Sequence, residues 1–261
     1  MSAEQTQFTD GEAYELLMGR WSHKVGGQFL AWLNIPANKN WLDVGCGTGA
    51  FTEEIVSKAH AKAVIGIDPA PAQIAFAQNR AGAKGAVFRI GTAQSLPFEA
   101  GQFDVAVMAL VISFLPDATL AVGELMRVVK PGGTIATYMW DLPAGVPVGP
   151  IYRSLAKLGH PAPLPPNPAI SKIEALQALW QNAGLNAVAT ETLRIEVSFK
   201  NFDDFWHTNS IPIGPQGKFI EALPQSVRDE LQAELKAHLP TQADGRIVYE
   251  SFANAVKGIR K

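Results

Sequence analysis

The stretch from Trp41 to Thr52 constrains this chain more than any other. An apolar run, Trp41-Leu42-Asp43-Val44, ends in Gly45-Cys46-Gly47-Thr48-Gly49, and an amphipathic segment follows at once. A short apolar run that stops at glycine reads as a buried strand, and over 51–59 Phe51, Ile55, Val56 and Ala59 share one helical face. The order is strand, glycine turn, helix. Glycines at alternate positions let the backbone bend tightly and let a ligand approach with no Cβ in the way. The turn amides and the helix N-terminus would form an electropositive lip. In open α/β sheets, ligands sit at this carboxyl edge, where the strand order reverses.

Dinucleotide and nucleoside-triphosphate sites use glycine turns too. The pattern G-x-x-x-x-G-K-[ST] is absent here. The dinucleotide pattern wants G-x-G-x-x-G, but the third glycine, Gly49, comes one position early, with Ala50 in its place. Asp43, just before the turn, would repel a pyrophosphate and attract the ammonium of a bound amino acid.

The remaining periodicity predicts alternating strands and helices. Thr9-Asp10-Gly11-Glu12 has the capping-box form, opening a helix through Leu17, and a second helix covers 21–33. Strands follow at 41–45, 63–68, 86–91, 103–110 and 133–140, with helices at 51–59, 70–80 and, from an Asp117 cap, up to Val129, where Lys130-Pro131-Gly132-Gly133 stops it. Eight prolines between Pro143 and Pro168 predict irregular structure around one short helix near 151–158. Ser171 and Glu174 form a second capping box, for a helix ending at Gly184. Strands at 188–199 and 247–256 flank helical segments over 200–245. The expected fold is α/β: a doubly wound seven-stranded sheet, mostly parallel with an antiparallel edge strand, helices on both faces and a helical cap inserted before the last strand. One domain spans 1–261, with N-terminal helices at 9–34, a core at 35–199 and 246–261, and a cap or lid at 200–245.

Composition narrows the setting. Apolar residues make up 47% and charged residues 18%, so the chain can build a core rather than stay disordered. With a formal charge of −2, its one compact basic cluster is the terminal Lys257–Lys261, so no nucleic-acid partner is expected. A single cysteine gives no disulfide framework and no metal site is expected. The polar, acidic start argues against a secretory signal and no run spans a bilayer, so a soluble cytoplasmic location is expected. Oligomeric state is left open.

Asp68 ends the second strand, where a carboxylate can accept from both hydroxyls of a ribose. The alternative is that it caps the helix that follows. In order and spacing, WLDVGCGTGAFT, GIDPAPAQI, GTAQSLPFEAGQFDVAVM and MRVVKPGGTI resemble the class I S-adenosylmethionine (SAM)-dependent methyltransferases. Within these, the chain is most similar to the small-molecule group of ubiquinone and menaquinone biosynthesis. The resemblance covers 41–140 strongly and the segments 14–22 and 252–256 loosely. It implies a Rossmann-like fold, SAM as cofactor, S-adenosylhomocysteine (SAH) as product and a small-molecule acceptor. It also implies that Gly45, Cys46, Gly47 and Gly49 line the methionine part, that Asp43 orients its amino group and that Asp68 holds the ribose. Pro69 and Gln73 would lie against the adenine, Ala93 and Gln94 would meet its edge, and Leu110 would face the methionyl side. Thr92 stands where the family commonly has Asp, which implies a weaker adenine contact. Tyr14 and Arg20 would fold over the cofactor, with Arg20 on its carboxylate; a solvated Arg20 and a core Tyr14 are the alternatives.

Methyl transfer from a sulfonium needs no leaving-group protonation, so positioning and desolvation carry much of it. A base is needed only where the acceptor must lose a proton. The candidates are His23, His160, His207, Tyr138 and Asp141. His207, beside Trp206 in the expected lid, is the first of these. Phe199, Phe202, Phe205, Trp206 and Phe219 fit either an apolar lid or a satellite core. The rival functions are a non-catalytic SAM-binding protein and an NAD-dependent oxidoreductase. The motifs describe the methyl donor alone; the acceptor depends on residues after Trp140.

Overall fold

The structure is a computed structural model that describes residues 18–212 and 214–261. Tyr14 and the capping box at 9–12 lie outside the described residues. The elements are α1 (Arg20–Leu33), β1 (Asn40–Val44), α2 (Ala50–Lys58), β2 (Ala63–Asp68), α3 (Pro71–Asn79), β3 (Val87–Ile90), β4 (Phe103–Ala109), α4 (Ala118–Val128), β5 (Val129–Trp140), α5 (Gly149–Lys157), α6 (Ile173–Asn182), β6 (Asn186–Phe199), α7 (Phe202–Ser210), α8 (Gly214–Ala222), α9 (Gln225–His238) and β7 (Ile247–Ile259).

The strands form one sheet in the order β3-β2-β1-β4-β5-β7-β6. Pairing is parallel from β3 through β5 and antiparallel on both sides of β7. The sheet is mostly parallel as expected, but the reversed strand is β7, one place in from the β6 edge. Strand order turns back between β1 and β4, so a crevice opens at their carboxyl ends. β4 is buried along nearly its whole length, as a strand covered on both faces must be.

Each helix presents an apolar stripe to this sheet. In α1 the stripe is Trp21, Val25, Phe29 and Leu33, spaced by one turn. Asn34 then ends α1 in the left-handed conformation, with φ 51°. The other side of α1 guards the sheet edge. Gln28 Nε2 donates to the carbonyl of Arg194 at 2.9 Å and Lys24 Nζ to that of Glu196 at 3.4 Å, so two β6 carbonyls are closed to a further strand.

Two local expectations need correction. Lys130–Gly133 does not stop the helix, which already ends at Val128; these residues open β5, beside a register shift against β4. Asp117 caps that helix as expected, accepting from Leu120 N at 2.9 Å. Ser171 caps nothing. Its hydroxyl donates to the carbonyl of Pro168 at 2.7 Å and accepts from Leu142 N at 2.9 Å, while Lys172 occupies the cap position of α6.

Among the described residues no helix is long and apolar enough to cross a membrane, and no cluster of side chains could hold a metal ion.

Candidate functional site

A cavity of about 490 Å³ opens above the carboxyl ends of β1, β4 and β5. It has two halves. Asp43, Gly45, Cys46, Gly47, Asp68, Pro69, Gln73, Thr92, Ala93, Gln94 and Leu110 line it together, so the structure gathers eleven of the sequence-derived cofactor residues. The other half is apolar and uses Val111, Phe114, Trp140, Leu142, Val148 and Leu164, among others.

The turn explains the first half. Gly45 has φ +74°, and a Cβ there would lie 2.5 Å from Val111 Cγ2. Conformation and space both demand glycine at this position. Gly47 has φ +51° and faces the cavity. Gly49 does not line the cavity; it precedes α2 with φ +80°, and a Cβ on it would meet Ala77 at 3.1 Å and Phe88 at 3.2 Å. The contacts of Gly49 in this geometry are packing contacts. The expected lip of turn amides is corrected in part. Gly45 N and Cys46 N donate to the carbonyl of Ile67 at 2.7 and 3.0 Å, and Gly47 N donates to Asp68 Oδ2 at 3.0 Å. Three turn amides are thus spent on β2, and Gly49 N donates within the turn to the carbonyl of Cys46 at 2.8 Å.

Two carboxylates face each other across that turn. Asp68 accepts from Gly47 N through one oxygen and from Ala70 N through the other, at 2.9 Å. It therefore braces the turn rather than capping α3, whose cap residue is Ala70. Each of its oxygens retains a second lone pair for a hydroxyl. Burial raises its pKa, with the two amides opposing. Asp43 is fully buried. Its Oδ2 accepts from Thr52 Oγ1 at 2.7 Å, and its Oδ1 has no hydrogen-bond partner. Burial pushes its pKa up to about 7, with the Thr52 hydroxyl pulling down and nearby Asp68 pushing up. A buried carboxylate oxygen without a partner calls for a cationic donor, and the ammonium of an amino-acid ligand fits.

Leu110 directly follows β4 with φ 62°, in the left-handed region, held by its N–H to the carbonyl of Tyr138 at 2.9 Å. A non-glycine residue held there costs about 1–2 kcal/mol, and such strain gathers at binding sites.

The expected acid–base groups separate clearly. His23 and Tyr138 line the cavity. His23 Nδ1 lies 3.0 Å from Glu54 Oε1, and its Nε2 lies 3.3 Å from Arg80 Nη2. Burial acts to raise the Glu54 pKa, but hydrogen bonds from Lys58 and His23 hold it below the usual range. His207 is exposed on α7, and neither it nor His160 lines the cavity. Asp141 is buried outside the lining, held by Lys172 Nζ at 2.5 Å and Asn254 Nδ2 at 2.9 Å. Arg20 also stands off the cavity. Its guanidinium lies over Trp21 and Phe199, 4.2 and 4.8 Å from the ring centres. In this geometry Arg20 makes a cation–π contact, and the expected carboxylate clamp would need its guanidinium to leave these rings.

Of the two readings left open for the aromatics near 200–219, the contacts favour packing. Phe199 packs edge-on to Phe205 at 5.0 Å, both within the main core, and Phe202 stacks on Trp206 at 6.5 Å against it. Of the described residues in 200–245, only Gln216 reaches the cavity. The wall of the apolar half comes instead from β5 and the proline-rich segment: Trp140, Leu142, Val146, Tyr152 and Pro163–Pro165. Composition marked that segment as irregular and said nothing of where it packs.

Comparisons with known proteins bear on the family and the fold. Residues 42–137 match the family model described as a methyltransferase domain. The chain is 34% identical to the demethylmenaquinone methyltransferase of Thermus thermophilus over 119 residues, covering 45% of this chain and 54% of that protein. It is 37% identical over 106 residues to the chloroplastic tocopherol O-methyltransferase of Arabidopsis thaliana, covering 39% and 30%. The chain thus spans about half the length of the first relatives it matches, or less. Among solved structures it resembles the YcgJ protein of Bacillus subtilis, with TM-score 0.58 and 20% identity over 92% of this chain and 99% of that one. A SAM-dependent methyltransferase from Thermotoga maritima gives TM-score 0.55 and 20% identity over 96% and 94%. At that identity these two speak for the fold.

Proposed function

We propose, for a chain whose residues 42–137 are a methyltransferase domain of the SAM-dependent class, that it transfers a methyl group from SAM to a small aromatic acceptor of the phenol or hydroquinone kind. The observation that carries the reading is the division of one cavity. Asp43, Gly45 and Asp68 make a polar end suited to an amino acid and a ribose, and it runs into an apolar chamber walled by Val111, Phe114, Trp140 and Leu142. The unpartnered Asp43 Oδ1 is the acceptor that SAM's ammonium would meet. Asp68 would take the ribose hydroxyls, with Pro69 and Gln73 against the adenine and Thr92, Ala93 and Gln94 at its edge. Relatives named for demethylmenaquinone, tocopherol and 2-methyl-6-phytyl-1,4-hydroquinone support an aromatic acceptor.

When bound, SAM supplies an electrophilic methyl on a sulfonium that leaves as a neutral thioether. The chain's part is then to orient and to exclude water. The chamber walls strip the acceptor of solvent. Trp140 offers a buried indole N–H that bonds to no protein group, a donor suited to an acceptor oxygen. For an acceptor that must lose a proton, His23 is the cavity-lining imidazole, oriented by Glu54.

Titration calorimetry with SAH and with NADH tests the cofactor: SAH binds and NADH does not. Transfer of labelled methyl from SAM into 1,4-naphthohydroquinone tests the acceptor class. Binding of SAH without transfer to any phenol or hydroquinone would leave a SAM-binding protein of another kind.

A further inference from the structure

The proline-rich segment that walls the acceptor chamber is tied down at both ends by one buried polar cluster. At the first end, Asp141 directly follows β5, between Trp140 and Leu142, both of which line the cavity. At the second end stand Ser171 and Lys172, just before α6. Lys172 Nζ bonds Asp141 Oδ1 at 2.5 Å, joining the two ends directly. Leu142 N bonds Ser171 Oγ at 2.9 Å, joining them a second time. Asn254 on β7 ties both to the sheet. Its Nδ2 donates to Asp141 Oδ2 and to the carbonyl of Ser171, each at 2.9 Å, and its Oδ1 accepts from Thr192 Oγ1 on β6 at 3.2 Å.

We propose that Asp141, Lys172 and Asn254 are positioning residues that seat the 143–170 segment over the apolar chamber and so set the acceptor site, without touching either ligand. The inference rests on the methyl-transfer reading above. Three observations carry it. Ser171 and Asn254 are at most 3% exposed, and their donors and acceptors are matched across three separate parts of the chain. The apolar contacts of a proline-rich segment are non-directional, whereas this cluster fixes register. Every residue between the two ties belongs to the segment, α5 included, that contributes Val148, Tyr152 and Pro163–Pro165 to the wall, while the cofactor end draws on β1, β2 and β4. The cluster therefore acts on one half of the cavity.

Hydrogen exchange and calorimetry on the full chain test this, with SAH as one probe and 1-naphthol, added to the SAH complex, as the other. Asp141→Asn keeps the size and removes the charge, Lys172→Met removes the cation at a half-exposed position, and Lys172→Arg keeps it. We expect amides within 143–170 to exchange at least tenfold faster in Asp141→Asn and Lys172→Met, with β1 and β4 unchanged. The SAH dissociation constant should stay within twofold and 1-naphthol affinity should fall at least tenfold, with Lys172→Arg close to the parent in both. Unchanged exchange over 143–170 overturns the proposal, and so does acceleration spread evenly over the sheet, which would mean general destabilisation. A parent chain that fails to bind SAH defeats the methyl-transfer reading instead. A parent that binds SAH but not 1-naphthol defeats the acceptor class, and the exchange pattern still decides the seating role.

Discussion

Asp43 stores a cost that a cationic ligand would relieve. With Oδ1 unpartnered and the side chain buried, the carboxyl holds its proton up to about pH 7, far above the range it has in the unfolded chain. Between those two values the folded chain binds more protons than the unfolded one, so ligand-free stability falls as pH rises toward 7 and then levels. An ammonium beside Asp43 favours the charged form. SAH affinity should therefore rise from pH 6 to pH 8, with net proton release at pH 6 that calorimetry in buffers of different ionisation heat can count. Asp43→Asn should flatten the profile and weaken binding at least tenfold; a profile that keeps its slope in that variant would assign it to another group. Gly45→Ala is a sharper steric test. It meets Val111 at 2.5 Å and forces alanine to positive φ, so SAH binding should be lost. Adding Val111→Ala removes the collision but not the torsional strain, so recovery should be partial. The place of Asp43 and Gly45 in the cavity was legible because both belong to one turn, and that of Asp68 because it ends the neighbouring strand. Those of Arg20 and His207 were not, since which ring a cation finds, or which way a helix faces, is decided by segments far away in sequence.

At the scale of elements, the strands and helices of 40–140 could be read because local period and core-facing stripe agree there. The failures share another cause. Ser171 and Glu174 have the spacing of a capping box, but Ser171 is claimed by Leu142 N and Pro168, a competition between partners that spacing does not encode. The aromatics of α7 were ambiguous between lid and core for the same reason: their content says that they bury surface, not against what. Since Phe202 and Trp206 stack on each other beside Phe205, Trp206→Ala should lower the melting temperature by a few degrees. Binding of SAH and 1-naphthol should stay at parent values; a tenfold loss of either would restore a lid role to α7. The α1 edge guard gives a separate expectation. Replacing Lys24 and Gln28 together by Ala uncovers the carbonyls of Arg194 and Glu196, and light scattering on warming should show earlier aggregation with little change in SAH affinity.

At the scale of the molecule, one continuous sheet joins the two halves of the cavity. The donor half hangs on β1, β2 and β4, which carry the motifs, and its chemistry could be inferred before any fold was known. The acceptor half hangs on β5, β7 and the segment between Asp141 and Lys172, and there the sequence offers only composition. Because β4 and β5 pair along most of their length, the two halves should unfold together. A ligand confined to the donor half then stabilises the whole. At SAH one hundred times its dissociation constant the gain is about 2.7 kcal/mol. For a domain of this size that corresponds to a rise of roughly 5–10 °C in melting temperature. Fluorescence of the tryptophans, among them Trp41 in the donor half and Trp140 and Trp180 in or beneath the acceptor half, should follow the same single transition as far-ultraviolet circular dichroism, displaced upward by SAH and unmoved by NADH. Two transitions, with only the lower or only the upper displaced by SAH, would show that the halves fold apart. Fixing the acceptor loop would then alter one folding unit, rather than one side of a shared cavity.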